Sequence, residues 1–151
     1  MKITLHKQVK YFEVDTHFKL KLGHLFKLLQ EAAIEHSQKV GLGSKTLVDK
    51  GSVWILNRMQ AEILRVPEYL EDLTVVTWHK GSKGYRAYRD FIVYAGDEKV
   101  ALASSRWLYF DMQRKRIVRI PEETSAAYTT ESEAAMDNQI DSWQAEPDFA
   151  P

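Results

Sequence analysis

One long helix and one meandering antiparallel sheet, an α+β domain, is the architecture this sequence predicts. Three observations point to it. A period-two strand pattern opens the chain, a run of three- and four-residue apolar steps follows, and everything after Gly51 alternates as strand does. A helix wrapped by a curved sheet is the economical way to bury both apolar surfaces.

In the opening segment, ITLHKQVKYFEV, Ile3, Leu5, Val9 and Tyr11 fall at period two, the pattern of a half-buried strand. After Asp15 the period changes. Leu22, Leu25, Leu28/Leu29, Ala32/Ala33, His36 and Val40 recur at steps of three and four, one face of a helix of about five turns. Gly41 supplies the stop, since glycine tolerates the left-handed conformation that ends helices. Ala32 and Ala33 let this helix approach a neighbouring sheet closely, and His36 on the apolar face reads as a core histidine. Four strand patterns follow: SVWILNRMQAEIL, LTVVTWHKG, GYRAYRDFIVY and VALASSRWLYFD. Gly81 to Gly84 reads as a turn between the second and third, and Gly96 to Lys99 as a hairpin between the last two. A short RIVRIP closes the folded part.

Composition bounds the rest. The chain has 151 residues, 44% hydrophobic and 28% charged, which are globular values for one domain with a sizeable core. No run approaches 18 apolar residues, so neither a membrane span nor a secretory signal is expected. There is no cysteine, which removes disulfides, thiolate nucleophiles and cysteine-based metal sites and suits a cytoplasmic protein. All 21 Lys and Arg lie at or before Arg119, against 13 of the 21 Asp and Glu. Residues 1–121 therefore carry a formal +8 and residues 122–151 carry −8. A basic body either attracts an acidic partner (nucleic acid, anionic lipid or an acidic carrier protein) or simply solvates the surface. The tail from residue 122 reads as an acidic linker or C-terminal arm, with residues 1–121 as the folded domain.

The stretches WILNRMQAEILRVPEYLEDLTVVTW, RDFIVY and ALASSRWLYFDMQRKRIVRIPEE closely resemble the N-terminal half of acyl-acyl-carrier-protein thioesterases. The resemblance runs from about Val9 to Glu123. Its most specific pieces are Trp54-x-Leu56-x-Arg58-Met59, Ala103-Ser104-Ser105-x-Trp107 and Arg119-Ile120-Pro121-Glu122-Glu123. It implies a hotdog fold, hydrolysis of fatty acyl thioesters, and an acyl carrier protein or coenzyme A thioester as partner rather than a nucleic acid. Members of that family usually carry two hotdog repeats, with the catalytic residues in the second, where an Asp-x-Asn-x-His motif precedes the helix. The last residues here, Glu146 to Pro151, resemble the linker into such a second repeat. A single hotdog leaves a sheet edge or face to cover, so a homodimer or larger assembly is expected.

Laid onto this chain, the motif keeps the aspartate at Asp15 but finds His17 for the Asn and Lys19 for the His. Asp15 also occupies the place of the nucleophile or base in single-hotdog thioesterases of the hydroxybenzoyl-CoA type. Thioester hydrolysis needs an activated water or nucleophile and donors for the oxyanion, and a helix N-terminus beside a carboxylate offers both. Asp15 and His17 are thus catalytic candidates, with a capping or ion-paired turn as the plainer alternative. Glu31 is a third, because some hotdog enzymes use a helix-borne glutamate, although His24, Glu31 and Glu35 equally form a solvated stripe. Leu25, Leu29, Trp54, Leu56, Arg58 and Met59 are candidates to wall an acyl channel; core packing demands the same side chains. No metal or cofactor is expected: the histidines are scattered, Ser104 and Ser105 lack a nucleophile elbow, and no glycine-rich phosphate loop occurs. The reading is a thioesterase built from a single hotdog unit. The alternatives are a non-catalytic acyl-binding half of a two-repeat enzyme or an acyl-CoA thioesterase.

Overall fold

The computed structural model describes residues 1–137. In chain order it has β1 (Lys2–Gln8), a 3-10 turn (Tyr11–Glu13), α1 (Leu22–Lys39), α2 (Ser44–Asp49), β2 (Ser52–Ile63), β3 (Asp72–Lys83), β4 (Arg86–Ala95), β5 (Glu98–Asp111), β6 (Arg116–Ile117) and α3 (Glu122–Ala127). The main strands lie in the order β1-β3-β4-β5-β2, all antiparallel, and β6 pairs with β5. One face of this sheet receives α1.

The helix face is the one its periodicity predicts. Leu25, Leu28, Leu29, Ala32, Ala33 and His36 are all buried, and the apolar ones among them pack with Val75, Phe91, Val93, Ala101 and Ala103 from the sheet. Leu22 is the exception at 57% exposed, so the buried stripe begins one turn later. The helix ends as expected, with Gly41 at φ 80. At the start of the chain the strand stops earlier than its pattern: Val9 is buried, but Tyr11 opens a 3-10 turn and is 72% exposed. The six-residue α2 has no counterpart in the sequence pattern, being too short to display a period.

Two bulges move side chains between faces. The β2–β5 register shifts between Leu56 and Arg58. Trp54 and Leu56, opposite Tyr109 and Trp107, therefore share the helix-facing side with Met59 and Ala61, opposite Ser105 and Ala103. A second shift, between His79 and Gly81, carries β3 on to Lys83. Gly81 to Lys83 thus belong to the strand, where a turn was expected, and the reversal falls at Gly84 and Tyr85. The β4–β5 hairpin closes through Gly96 and Asp97, with Gly96 at φ 62.

The acidic segment lies on the body as far as it is described. Pro121 caps α3, Tyr128 is buried with Leu42 and Leu47, and Glu131 N donates to His79 O at 2.9 Å where β3 outruns β1. On the far face of the sheet, Trp78 Nε1 donates to Glu133 O at 2.8 Å and Ala135 N to Asp90 Oδ2 at 2.8 Å. Glu146 to Pro151 lie outside the described residues.

Candidate functional site

The loop between β1 and α1 is a tight turn organised by Asp15. Its Oδ1 accepts hydrogen bonds from His17 N at 2.8 Å and Lys19 N at 3.1 Å. The backbone closes around it, Phe18 N donating to Asp15 O at 3.0 Å and Asp15 N to Lys19 O at 2.8 Å, with Phe18 at φ 61. Those backbone donors, from Lys19 and then His17, hold the Asp15 carboxyl below its ordinary pKa, so it stays ionised and is a weaker base than a free carboxylate. Asp15 and His17 are exposed on this loop, while Glu31 is exposed in the middle of α1. The three candidates are not brought together.

An apolar-walled concavity lies at the other end of α1. Between Leu22 and Ser37 the helix rises about 22 Å, and the second half of α1, with α2 and strands β2 to β5, encloses a cleft of about 210 Å³. Exposed or half-buried Gln30, Ile34, Ser44 and Val53 mark its mouth, and Leu42, Leu47, Leu56, Ala87 and Trp107 supply apolar wall. No Asp or Glu lines it. Of the residues expected to wall an acyl channel, Trp54 and Leu56 do line this cleft. Leu25, Leu29 and Met59 pack instead in the core cluster under α1, and Arg58 is not among the lining residues.

The floor is polar. His79 and Arg89 are cross-strand partners on the helix-facing side, each 4% exposed. Arg89 Nη1 donates to His36 Nδ1 at 2.9 Å and to Thr77 Oγ1 at 3.1 Å. Tyr128 completes the group: its ring stacks on His79 at 4.9 Å and meets His36 edge-on at 5.5 Å, and its hydroxyl lies 2.6 Å from Ser37 Oγ. Burial, reinforced by the Arg89 charge, pushes both imidazoles down to about 4, so they are neutral at pH 7. Burial lowers Arg89 only to about 10, and it keeps its charge. Because a guanidinium can only donate, His36 Nδ1 must accept, which places the ring proton on Nε2.

None of His79, Arg89, Tyr128 or Ser37 was singled out from the sequence. A signal was there for two of them: His79 follows Leu73, Val75 and Thr77 at strand parity, and Arg89 precedes Phe91 and Val93 at theirs. Polar residues on an apolar parity mark a buried polar site. Among the described residues, no group of three or more His, Cys, Asp or Glu is arranged to hold a metal ion.

A sequence model of the acyl-ACP thioesterase N-terminal domain matches residues 2–128. The chain belongs to the acyl-ACP thioesterase family. Among its relatives, a chloroplastic oleoyl-acyl carrier protein thioesterase of Coriandrum sativum is 25% identical over 128 residues, covering 80% of this chain and 35% of the relative. A putative oleoyl thioesterase of Lactobacillus plantarum superposes with a TM-score of 0.84 at 24% identity, over 98% of this chain and 59% of that one. A 1,4-dihydroxy-2-naphthoyl-CoA thioesterase of Synechocystis superposes with a TM-score of 0.76 at 13% identity, over 84% of this chain and 95% of that one. The fold is therefore the hotdog fold of these thioesterases, and the chain spans about a third of the curated acyl-ACP thioesterases it matches.

Membership gives the sequence motifs physical content. In the Ala103-Ser104-Ser105-x-Trp107 run, Trp107 Nε1 donates to Ser105 Oγ at 2.8 Å, and Ser105 Oγ donates to Arg89 O at 2.9 Å, fixing the cleft wall to the strand that carries Arg89. In the Arg119 to Glu123 run, Ile120 N donates to Gly84 O at 3.0 Å and Ile120 is buried with Ala87 and Tyr109. That contact delivers α3, and with it Tyr128, to the cleft.

Proposed function

We propose that this chain is the acyl-binding hotdog unit of an enzyme that hydrolyses acyl thioesters carried on acyl carrier protein. The observation that carries this reading is the cleft itself: an apolar-walled pocket between α1 and the sheet, in a member of this family, with no carboxylate in its lining. Such a pocket suits an alkyl chain and holds no carboxylate to serve as general base for its hydrolysis. The formal +8 of residues 1–121 favours an acidic carrier over a neutral partner.

Hydrolysis then takes place where a second hotdog unit meets this one. The place for it is β2, a 12-residue strand at the edge of the sheet with β5 on one side. Among the described residues no strand pairs with its outer edge, an open edge of that length is an invitation to pairing, and exposed Ile55 and Ile63 add apolar surface to it. The second unit is either another copy of this chain or a domain beyond it.

One observation favours a self-sufficient homodimer: Lys21, at the N-cap of α1, makes no side-chain capping bond, so Leu22 N and Gly23 N, which follow the Asp15 loop in the chain, have no side-chain acceptor and suit an oxyanion. The deciding experiment measures thiol release from acyl carrier protein and acyl-CoA thioesters alongside binding of a non-hydrolysable acyl analogue. Binding without turnover is the expected result for the chain alone. Turnover establishes the homodimer reading, and absence of both sinks the acyl assignment.

A further inference from the structure

Arg89 is a buried cation without a counter-charge. It is 4% exposed, and among the groups around it only Tyr128 opposes the lowering of its pKa by burial. No Asp or Glu lines the cleft. The acid next to it in the chain, Asp90, belongs to the far face of β4, where Oδ2 accepts from Ala135 N at 2.8 Å and lies 3.5 Å from Lys80 Nζ. The two groups that Arg89 does bond, the His36 imidazole and the Thr77 hydroxyl, are neutral. A guanidinium held out of water on these terms is costly until an anion joins it.

The geometry leaves room for that anion on one edge. Both described hydrogen bonds leave from Nη1, so Nε and Nη2 have none. Among the described residues, the buried side-chain atoms shut in without a partner are His36 Nε2, Trp54 Nε1, His79 Nδ1 and Asp90 Oδ1. Arg89 Nε and Nη2 are not in that sealed group; they meet open space, and the open space that Arg89 lines is the cleft. Nε and Nη2 together form the edge by which a guanidinium grips a carboxylate through two parallel hydrogen bonds. From there to the mouth at Ile34 and Val53 the wall is apolar, with Leu42, Leu47, Leu56 and Trp107. A methyl end seated against Arg89 would add to the desolvation of its charge and return nothing.

We propose that this cleft binds a free fatty acid head-first, its carboxylate on the Nε–Nη2 edge of Arg89 and its alkyl chain along the apolar wall to the mouth. The inference rests on the reading of the cleft as an alkyl-chain site and names a second occupant for it. Because a free fatty acid is the product of the proposed hydrolysis, that occupant competes with the acyl chain and makes the unit responsive to product.

The test uses the full chain and three soluble ligands of one chain length, octanoate, 1-octanol and octylamine, beside a thioether analogue of octanoyl-pantetheine, with affinities from calorimetry at pH 7. Octanoate should bind at least ten-fold tighter than 1-octanol, octylamine should bind weakest, and octanoate should displace the thioether analogue. Arg89→Met should erase the preference for acid over alcohol, with folding checked by circular dichroism. If that variant does not fold, Ile34→Trp at the mouth locates the site: a ten-fold loss of octanoate affinity supports the cleft, and unchanged affinity overturns the proposal. Octanoate that binds no tighter than 1-octanol also overturns it, as does a preference that survives in folded Arg89→Met, or octanoate that binds without displacing the bound analogue. Binding of the analogue with none of octanoate sinks the proposal alone and leaves the acyl reading standing. Octanoate bound with the stated preference while the analogue stays unbound keeps the carboxylate site and removes the thioester reading. Absence of binding by all four ligands removes both.

Discussion

Arg89 on β4 donates from Nη1 to His36 Nδ1 on α1 across 2.9 Å, the one hydrogen bond described between the sheet and its helix in the buried interior. It joins a charge to a neutral acceptor where both residues are almost wholly inaccessible. Removing the acceptor while keeping the charge is the costly direction. His36→Leu should therefore lower stability by about 1–3 kcal/mol, read from urea unfolding. His36→Gln, which can still offer an oxygen, should recover much of the loss. Equal stability for His36→Leu and the wild type would mean that the guanidinium finds another partner.

This pair also marks the limit of what the sequence could tell. His36 was legible as a core residue because its place in the three- and four-residue steps depends only on local spacing. Its partner was not, since β3 and β4 meet α1 through tertiary packing that no spacing encodes. The same division runs through the site. Trp54 and Leu56 were legible as wall residues, but the bulge at Asn57 re-aims the strand and sends Met59 to the core under α1. Tyr128 lay beyond the predicted domain boundary, and only the return of α3 through Ile120 brings it to the cleft. Asp15 was legible as a residue of interest because an acid before a helix N-terminus is chemically suggestive; its bonds to His17 N and Lys19 N give that acid a turn to hold.

The mouth of the cleft offers a test with little structural cost. Ile34 is 41% exposed and belongs to the lining. Ile34→Trp should obstruct entry and weaken acyl-analogue binding at least ten-fold. Stability should stay within about 0.5 kcal/mol of the wild type, as is usual for surface positions. Unchanged affinity would place the entrance elsewhere.

Pairing through β2 can be tested with charge. Ile55 and Ile63 are 38% and 36% exposed on the edge strand, and lysine on an edge opposes strand addition. Sedimentation of the wild type should show a dimer or larger species, and Ile55→Lys with Ile63→Lys should shift it to monomer. A wild type that remains monomeric at high concentration would leave β2 to a partner domain on another stretch of chain.

For Asp15, Asn and Ala separate a turn from a catalyst. Asparagine keeps an oxygen for the His17 and Lys19 N–H groups and loses the charge, whereas alanine loses both. If Asp15 only shapes the turn, Asp15→Asn should match the wild type in analogue binding and in any thiol release, and Asp15→Ala should cost about 1 kcal/mol of stability, the size of a lost cap. A ten-fold or greater loss of turnover in Asp15→Asn at unchanged stability would make the carboxylate a participant in the chemistry.

The two floor histidines impose a pH dependence whose sign follows from their burial. His36 and His79 are held at about 4 in the folded chain, by desolvation first and by the Arg89 charge second, against about 6.5 for a histidine in the unfolded chain. Between those values the unfolded state binds more protons, so stability rises with pH through this window. Their contribution is complete above about pH 6.5 and is lost as the pH falls toward 4. Each proton taken up on unfolding is worth up to about 1.4 kcal/mol per pH unit, and near pH 5 the uptake should approach two. Glu13 and Glu71, whose pKa values are lowered chiefly by hydrogen bonds to Lys7 and Arg65 respectively, lose their contribution only as the pH falls through and below the ordinary glutamate value of 4.5. The histidine effect is therefore separable from theirs between pH 5 and 6.5. Urea titrations across that range should show the slope, and His36→Gln should reduce it by about half, because one of its two sources is gone. A stability that stays flat from pH 5 to 7 would mean that the floor opens to water and that these imidazoles titrate freely.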